Sequence, residues 1–539
     1  MTDTLGNATT HTYDGRGNRI KTDFPDVTAG PAAPQTASQN WSYNDHGQPL
    51  TLTDPEGNVT CYTYYGSGPM QGYRRASIRD CGGADVTTEY GYDLVGNVTV
   101  MTDARGIRTE YEVNALNQVV KETRAAAVPE SASYALPFTQ YDDVRRKDVM
   151  RNSTTLTALD YETLYWYDAN DNVVRVDVEN VQPELDVAYH PTGVHSRDGT
   201  NPWLTTSYEY DLLDNVVTTT MEISSTAQAV TGRRYDALEN VVATTDPSGH
   251  RTAYAYDERS FVLTTTRGVG TSAAVTTTSS YDANGNLVRT ADGEGRPKDN
   301  IFDGFDRRVG QVDALGNVTI WTLDGNDNVL RTVFRDGQDG RNPARTITAT
   351  APVTLTHTVN HFDERNRRYA QRRALFAADV DTGTITPITT DGDGDSWVDT
   401  TTTYDRNGNP VATRDDNGNV TRTTLDGLDR VLVVTDALSN TVAYAYDPGG
   451  NVTQTVSTER HPDGLTPPEV FTVTSSYDAV NRMVDQQDSL GQTTRYAYDG
   501  HGNRVFVSDA NGPVSAGCST RSGDFSRSTA EAVTTQTSN

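Results

Sequence analysis

The chain has 539 residues, room for three to five ordinary domains at roughly 100–200 residues each, but counting Gly as apolar and leaving Tyr out gives only about 38% apolar residues against the roughly 45–50% of compact domains. Forty-five basic against 73 acidic side chains leave a net charge of −28, which repels phosphate backbones and anionic lipid heads and argues against nucleic acid and membrane surfaces as partners. No stretch approaches the roughly 20 apolar residues of a membrane-spanning helix, Met1–Thr12 has neither a basic nor an apolar leader region, and three cysteines exclude a disulfide scaffold.

In chain order, a turn signature comes first, at Asp3-Thr4-Leu5-Gly6-Asn7, and then a recurring unit begins at Tyr13-Asp14. Copies sit at Tyr43, Tyr64, Tyr92, Tyr141, Tyr167, Tyr210 and Phe362. The spacing is 21 residues from Tyr235-Asp236 to Tyr256-Asp257, from Tyr281-Asp282 through Phe302 to Leu323, from Tyr404-Asp405 through Leu425 to Tyr446-Asp447, and from Tyr477-Asp478 to Tyr498-Asp499. Each unit has two similar halves, as in Asp405-Arg406-Asn407-Gly408-Asn409 followed by Asp415-Asp416-Asn417-Gly418-Asn419. Asp-x-x-Gly signals a type I turn followed by a left-handed residue in a bulged hairpin. Asp54-Pro55, Asp246-Pro247 and Asp447-Pro448 put Pro where its fixed φ fits.

The Gly slot tests this reading, since only residues that tolerate positive φ should replace Gly there. Asn117, Asp171, Asp214, Asp306, Asp327, Asn366, Asp429 and Asn481 conform; Arg145, Glu239 and Ser260 depart, and a different geometry is expected for their turns. Between turns, runs such as Thr441-Val442-Ala443-Tyr444-Ala445-Tyr446 alternate with period two and are predicted strands. The expected fold is all-β: one long antiparallel array of hairpins over residues 1–513 that winds into a curved sheet or part of a hollow shell. Insertions fall near 21–40, 121–140, 179–205, 336–358, 374–400 and 455–472, and a polar, disordered tail is expected over 514–539. Tyr on one face is expected to build cross-strand aromatic ladders.

Tyr281-Asp282-Ala283-Asn284-Gly285-Asn286 and Tyr446-Asp447-Pro448-Gly449-Gly450-Asn451 resemble the YD repeat of the rearrangement-hotspot (RHS) family, over about residues 5–513. The resemblance implies a β-sheet strip wound into a shell around a C-terminal toxin segment, as in polymorphic toxins and toxin complexes, with related repeats in surface adhesion proteins. The family's Asp-Pro-x-Gly-Leu protease region is missing here, and Asp3–Thr9 reads as the second half of a unit. A fragment of a longer protein, or a short natural copy, is therefore expected.

The remaining motifs carry less. Cys61 and Cys81 flank one turn region, as two free thiols or as a pair across a hairpin, and Cys518 has no evident partner. His195-Ser196 lacks a triad, and Gly295-Arg296-Pro297-Lys298 is no phosphate loop. Arg365, Arg367, Arg368, Arg372 and Arg373 form the strongest basic patch, for ion pairing with neighbouring acids or for docking a partner. Asp391, Asp393, Asp395 and Asp399, with the Trp397 carbonyl, have the spacing of a Ca²⁺ loop, Ca²⁺ being the only cofactor suggested. The competing reading is an acidic solvated loop. The leading expectation is a non-enzymatic wall segment, secreted or surface-exposed in its parent protein, whose partners are a toxin segment or adjoining shell repeats. The alternative is an adhesion module on which Trp41, Trp203 and Trp321 stack against carbohydrate.

Overall fold

Thr, Val and Tyr fit a pleated surface, and the Asp, Gly and Asn between them end each extended run within a few residues. The computed structural model describes residues 1–126, 161–179, 181–185, 191–197, 203–224, 227–335, 354–378, 385–387, 395–461, 466–498, 502–509 and 512–516, and among these there is no helix. A single sheet of 37 strands runs from Thr10–Tyr13 to Gly512–Ala516, every pairing antiparallel and between chain neighbours, with its first and last strands unpaired to each other. The all-β hairpin array read from the sequence is therefore what forms. The sheet reaches Ala516, into the segment expected to be tail from Val514. Tyr141 and Arg145 lie outside the described residues.

The strip has two edges that differ in construction. At the edge of the Tyr-Asp turns, each hairpin carries a register shift beside the Tyr: Tyr256 pairs with Val262 but Ala255 with Thr264, which leaves Leu263 as an extra residue. The opposite edge has no such regular shift, Thr245 pairing with Arg251 and Thr244 with Thr252, and its register changes at Glu222/Ser224, Phe334/Arg335 and Val507/Ser508 among the described residues. A bulge increases local twist and bends its strand. Repeated at the Tyr-Asp turns, it curves the strip in one sense. The longer turn between Tyr64 and Arg74 is on the Tyr-Asp edge, but insertions fall mostly on the opposite edge. The paired segments Val181–Leu185 with Pro191–Arg197 and Phe376–Ala378 with Ile385–Pro387 sit there, as does the loop between Asp23 and Ser38.

No dry core forms. Fully shielded apolar side chains are few and scattered, Val27, Val333, Ala497 and Phe506 among them. A one-layer wall accounts for the low apolar fraction. Cys61 and Cys81 are disulfide-bonded with their Cα atoms 5.8 Å apart, so the free-thiol reading gives way to the pair. Cys81 closes onto the strand end at Val59 through its backbone N–H at 2.7 Å.

Two expectations fail. Glu239 and Ser260 adopt φ of 63° and 64°, the same left-handed geometry as Asp306 at 61°, because the four other residues of the turn fix it and those side chains point outward. The aromatic ladder forms only locally, in Tyr73–Tyr92 and Phe261–Tyr281, with centroids 5.0 and 4.9 Å apart.

Candidate functional edge and seam

At Asp282 the backbone closes through Asp282 N–H to Asn286 O at 3.0 Å and Gly285 N–H to Asp282 O at 3.2 Å. The carboxylate then caps the turn: Oδ1 accepts the N–H groups of Asn284 and Asn286 at 3.0 and 2.8 Å, and Oδ2 accepts the Asn286 amide at 2.9 Å. The Asn286 amide, with those backbone donors, holds the Asp282 carboxyl below the ordinary 3.8. The fifth residue is often Asn, but Arg307, Arg367, Arg430 and Arg482 serve the same carboxylate with a guanidinium at 2.6–2.8 Å.

The Tyr hydroxyl ties one unit to the last. Tyr235, Tyr256, Tyr281, Tyr404, Tyr446 and Tyr477 each donate to the carbonyl of the residue that leaves the preceding Tyr-Asp turn, at 2.7–3.1 Å: Val216, Val241, Val262, Arg368, Val431 and Val452. Phe302 and Phe362 lack the hydroxyl. In their units Asn300 and Asn360, two residues earlier, donate at 2.8 Å to the equivalent carbonyls of Leu287 and Val329, and Gln311 and Gln371 brace those amides. Pairing Asn with Phe in this way is a sequence signal that was open to reading.

The fifth residue of each turn also reads the next turn along this edge. Where it is an amide, it donates to the left-handed residue of the next turn: Asn97 to Asn117, Gln118 to Asp171, Asn172 to Asp214, Asn240 to Ser260, Asn286 to Asp306, Asn328 to Asn366, Asn409 to Asp429 and Asn451 to Asn481, all within 2.6–3.0 Å. Where it is Phe261, Arg367, Arg430 or Arg482, it lies over the next Tyr instead, and the left-handed residue is Gly. Arg367 sits 5.0 Å from the Tyr404 ring and Arg430 4.5 Å from Tyr446, next to Gly408 and Gly450. Arg307 meets Leu323 instead of a ring, and pairs with Asp327 at 2.9 Å. Asp and Asn in the Gly slot are thus acceptors for the preceding turn, beyond merely tolerating positive φ. Glu239 receives no such bond from Asn215 among the described residues.

The curved strip returns on itself. Opposite-edge turns from the first part of the chain dock on Tyr-Asp turns 322 to 374 residues later. Asn326 donates to Asp3 at 2.7 Å and accepts from Thr4 at 2.6 Å. Arg365 donates to Pro25 O at 2.9 Å and to Gln35, which Arg367 also holds at 3.0 Å, while Thr28 bonds Glu364. Asn407 donates to Asp54 at 2.9 Å, and Arg105 reaches the carbonyls of Asp478 and Ala479 at 3.1 and 3.0 Å. Asp80 presses on Gly427, where an added Cβ would lie 2.5 Å from its carboxylate. A cavity of about 780 Å³ lies in this seam, between Asp3, Pro25 and Asp54 on one side and Arg365 and Arg406 on the other.

The arginine patch divides. Arg367 and Arg372 make ion pairs as expected, whereas Arg365 serves the seam, and burial depresses its basicity. Arg372 binds Asp395 at 2.6 Å and Asp399 at 2.7 Å, and Trp397 N–H donates to Asp395. Asp391 and Asp393 lie outside the described residues, and among those described no three His, Cys, Asp or Glu converge as metal ligands. Guanidinium groups cover two of the three rings expected to stack on sugar, Arg19 over Trp41 at 4.3 Å and Arg308 over Trp321 at 4.8 Å. Tyr498 ends its strand, with Asp499 just outside the described residues. His195 lies in the inserted hairpin opposite Pro183.

A family model described as RHS repeat matches residues 235–272, 404–440, 426–466 and 477–514. Those segments of the chain carry RHS repeats. Among solved structures, the Photorhabdus luminescens Tc holotoxin pore with a TccC3 mutation aligns over 94% of this chain at 14% identity, with a TM-score of 0.55, and the alignment covers 24% of the matched chain. It shares the fold, and this chain spans about a quarter of its length. Two TcdB2-TccC3 crystal structures align over 93% at 11% and 12% identity, covering 35% and 32% of those chains, with TM-scores of 0.27 and 0.25 too low to carry an argument. No curated protein sequence matches the chain.

Proposed function

We propose that the chain is a structural wall segment of a toxin-complex shell, acting without catalysis by partitioning space around a toxin segment of its parent protein. The observation that carries this reading is the seam. A one-layer sheet without a dry core docks its own edge on itself one winding later, which is how a strip becomes a wall. The RHS-repeat segments and the fold shared with a Tc holotoxin pore support it. Export to an oxidising compartment fits the Cys61–Cys81 disulfide. Small-angle X-ray scattering tests the wall. A solid globule of this length has a radius of gyration of about 24 Å, whereas a hollow winding should exceed it clearly and show a pair-distance maximum shifted to long distances. A value near that of the globule would end the shell reading.

A further inference from the structure

Most junctions of the seam are polar. Asp3 and Thr4 bond Asn326, Pro25 and Gln35 take Arg365, Asp54 takes Asn407, and Arg105 reaches the carbonyls of Asp478 and Ala479. The junction of Asp80 with Gly427 differs. An added Cβ on Gly427 would lie 2.5 Å from the Asp80 carboxylate, yet among the described residues no hydrogen bond or ion pair joins the turn from Asp80 to Asp85 with the turn opened by Asp426. The Asp80 carboxylate serves its own turn, taking the Ala84 N–H at 2.9 Å, and across the seam Asp426 is committed to Arg430 at 2.7 Å.

The turn that carries Asp80 is also built differently. At Asp3, Asp54 and Asp103 one Oδ1 caps the N–H groups of both the third and the fifth turn residue. Between Asp80 and Asp85 that cap is divided, Asp85 taking the Gly82 N–H at 2.7 Å, and both ends are left-handed, with φ of 52° and 50°. Residues other than Gly keep such a φ only where their surroundings impose it, and here a covalent bond does. Asp80 reverses the chain just past the end of its strand at Arg79, so that Cys81 folds back with its N–H on Val59 O at 2.7 Å and its sulfur bonded to Cys61. Both cysteines are half-buried, within reach of a reductant in solution. We propose that the Cys61–Cys81 disulfide is a redox clasp on the seam: oxidised, it holds the Asp80 tip against Gly427, and reduced by a dithiol, it lets this junction open while the polar junctions stay closed. One thiolate of the reductant attacks a sulfur of the disulfide and breaks the S–S bond, its second thiolate resolves the mixed disulfide, and two electrons and two protons end on Cys61 and Cys81 as thiols. The clasp depends on the seam and holds whether or not the wall surrounds a toxin.

Hydrogen exchange on the full chain tests it, comparing the oxidised protein, the protein treated with dithiothreitol, and Cys61→Ser/Cys81→Ser, with alkylation and mass spectrometry to verify the thiol state. Amides at 80–85 and at 426–430 should exchange at least about tenfold faster in the reduced protein and in the double variant alike. Those in the turns opened by Asp324, Asp405 and Asp478 should keep their oxidised rates, and dithiothreitol should change nothing in the double variant. Faster exchange at 80–85 alone overturns the proposal, since the bond would then hold only its own turn. So does an equal rise at every junction, which would make the disulfide a general brace of the strip, and so do unchanged rates at 426–430 in the double variant.

Discussion

The two edges of the strip are made of the same local turn yet do different work. At Asp282 and Asp415 the carboxylate caps the turn in the same way, with the Asn four residues on donating both its N–H and its amide. The Tyr-Asp edge adds a hydroxyl to the preceding unit, a bulge repeated at its turns, and a side chain handed from most turns to the next. The opposite edge carries most of the insertions and the tips that dock in the seam. Turn geometry is thus set within five residues, whereas order along the edge is set by what each turn offers its neighbour. A repeat can vary freely on one edge because the other holds the count.

The largest effect should come from the covered part of the Tyr-Asp edge. Gly427 and Gly304 occupy the same turn position, but a Cβ at Gly427 meets the Asp80 carboxylate at 2.5 Å and one at Gly304 meets nothing within 4 Å. Gly427→Ala should cost about 1–3 kcal/mol and speed amide exchange at both Asp80 and Gly427, whereas Gly304→Ala should stay within about 0.5 kcal/mol of wild type. Equal costs would deny that the seam matters.

A smaller effect separates tolerance of positive φ from neighbour recognition. Asp306→Ala should cost about 1 kcal/mol, losing the acceptor for Asn284 and Asn286 while keeping a Cβ in the left-handed region. Asp306→Gly should be near neutral, relief of the backbone offsetting the lost bonds. A Gly variant clearly more stable than wild type in chemical denaturation would show the turn-to-turn bonds to be idle.

Tyr256→Phe and Asn300→Ala should each cost about 1 kcal/mol, read as faster exchange in their own units, since each removes the donor to an equivalent carbonyl. Phe302→Tyr should gain nothing, because Asn300 already holds Leu287 O.

The smallest effect per residue is on pH. Asp14, Asp236, Asp282 and Asp415 are held below the ordinary 3.8, chiefly by the amide of the Asn four residues on. A depressed folded pKa gives stabilisation that is complete above 3.8 and is lost as pH falls through the lower folded values. Circular dichroism should therefore be flat between about pH 5 and 8 and change below pH 3.8, with both edges affected together since Asp415 lies opposite the other three. Loss on one edge first would show that the shared caps are not what fails.

The strands, the 21-residue unit and the positive φ at Asp171, Asp306 and Asn481 were legible because each is decided within a few residues of chain. Glu239 and Ser260 were misread for the same reason: the slot was judged by side-chain preference, while Asp236 and Asp257 at the head of the turn impose the geometry. Asn300 with Phe302, and Asn286 with Asp306, were legible in principle as pairs 2 and 20 residues apart, yet only once the neighbour relation was known. The seam was not legible. Asp3 meets Asn326 because curvature accumulates over many units, and nothing near either residue distinguishes it from other turn tips.

A sheet in which every strand pairs only with its chain neighbours is also a thread laid down in order. Pulled from one end with the Cys61–Cys81 disulfide reduced, it can pay out hairpin by hairpin with no crossover among the described strands to pass, each 21-residue unit lengthening the free chain by roughly 70 Å. The force record should be a regular sawtooth with added resistance only where a seam turn lets go, so the wall can be unspooled one unit at a time.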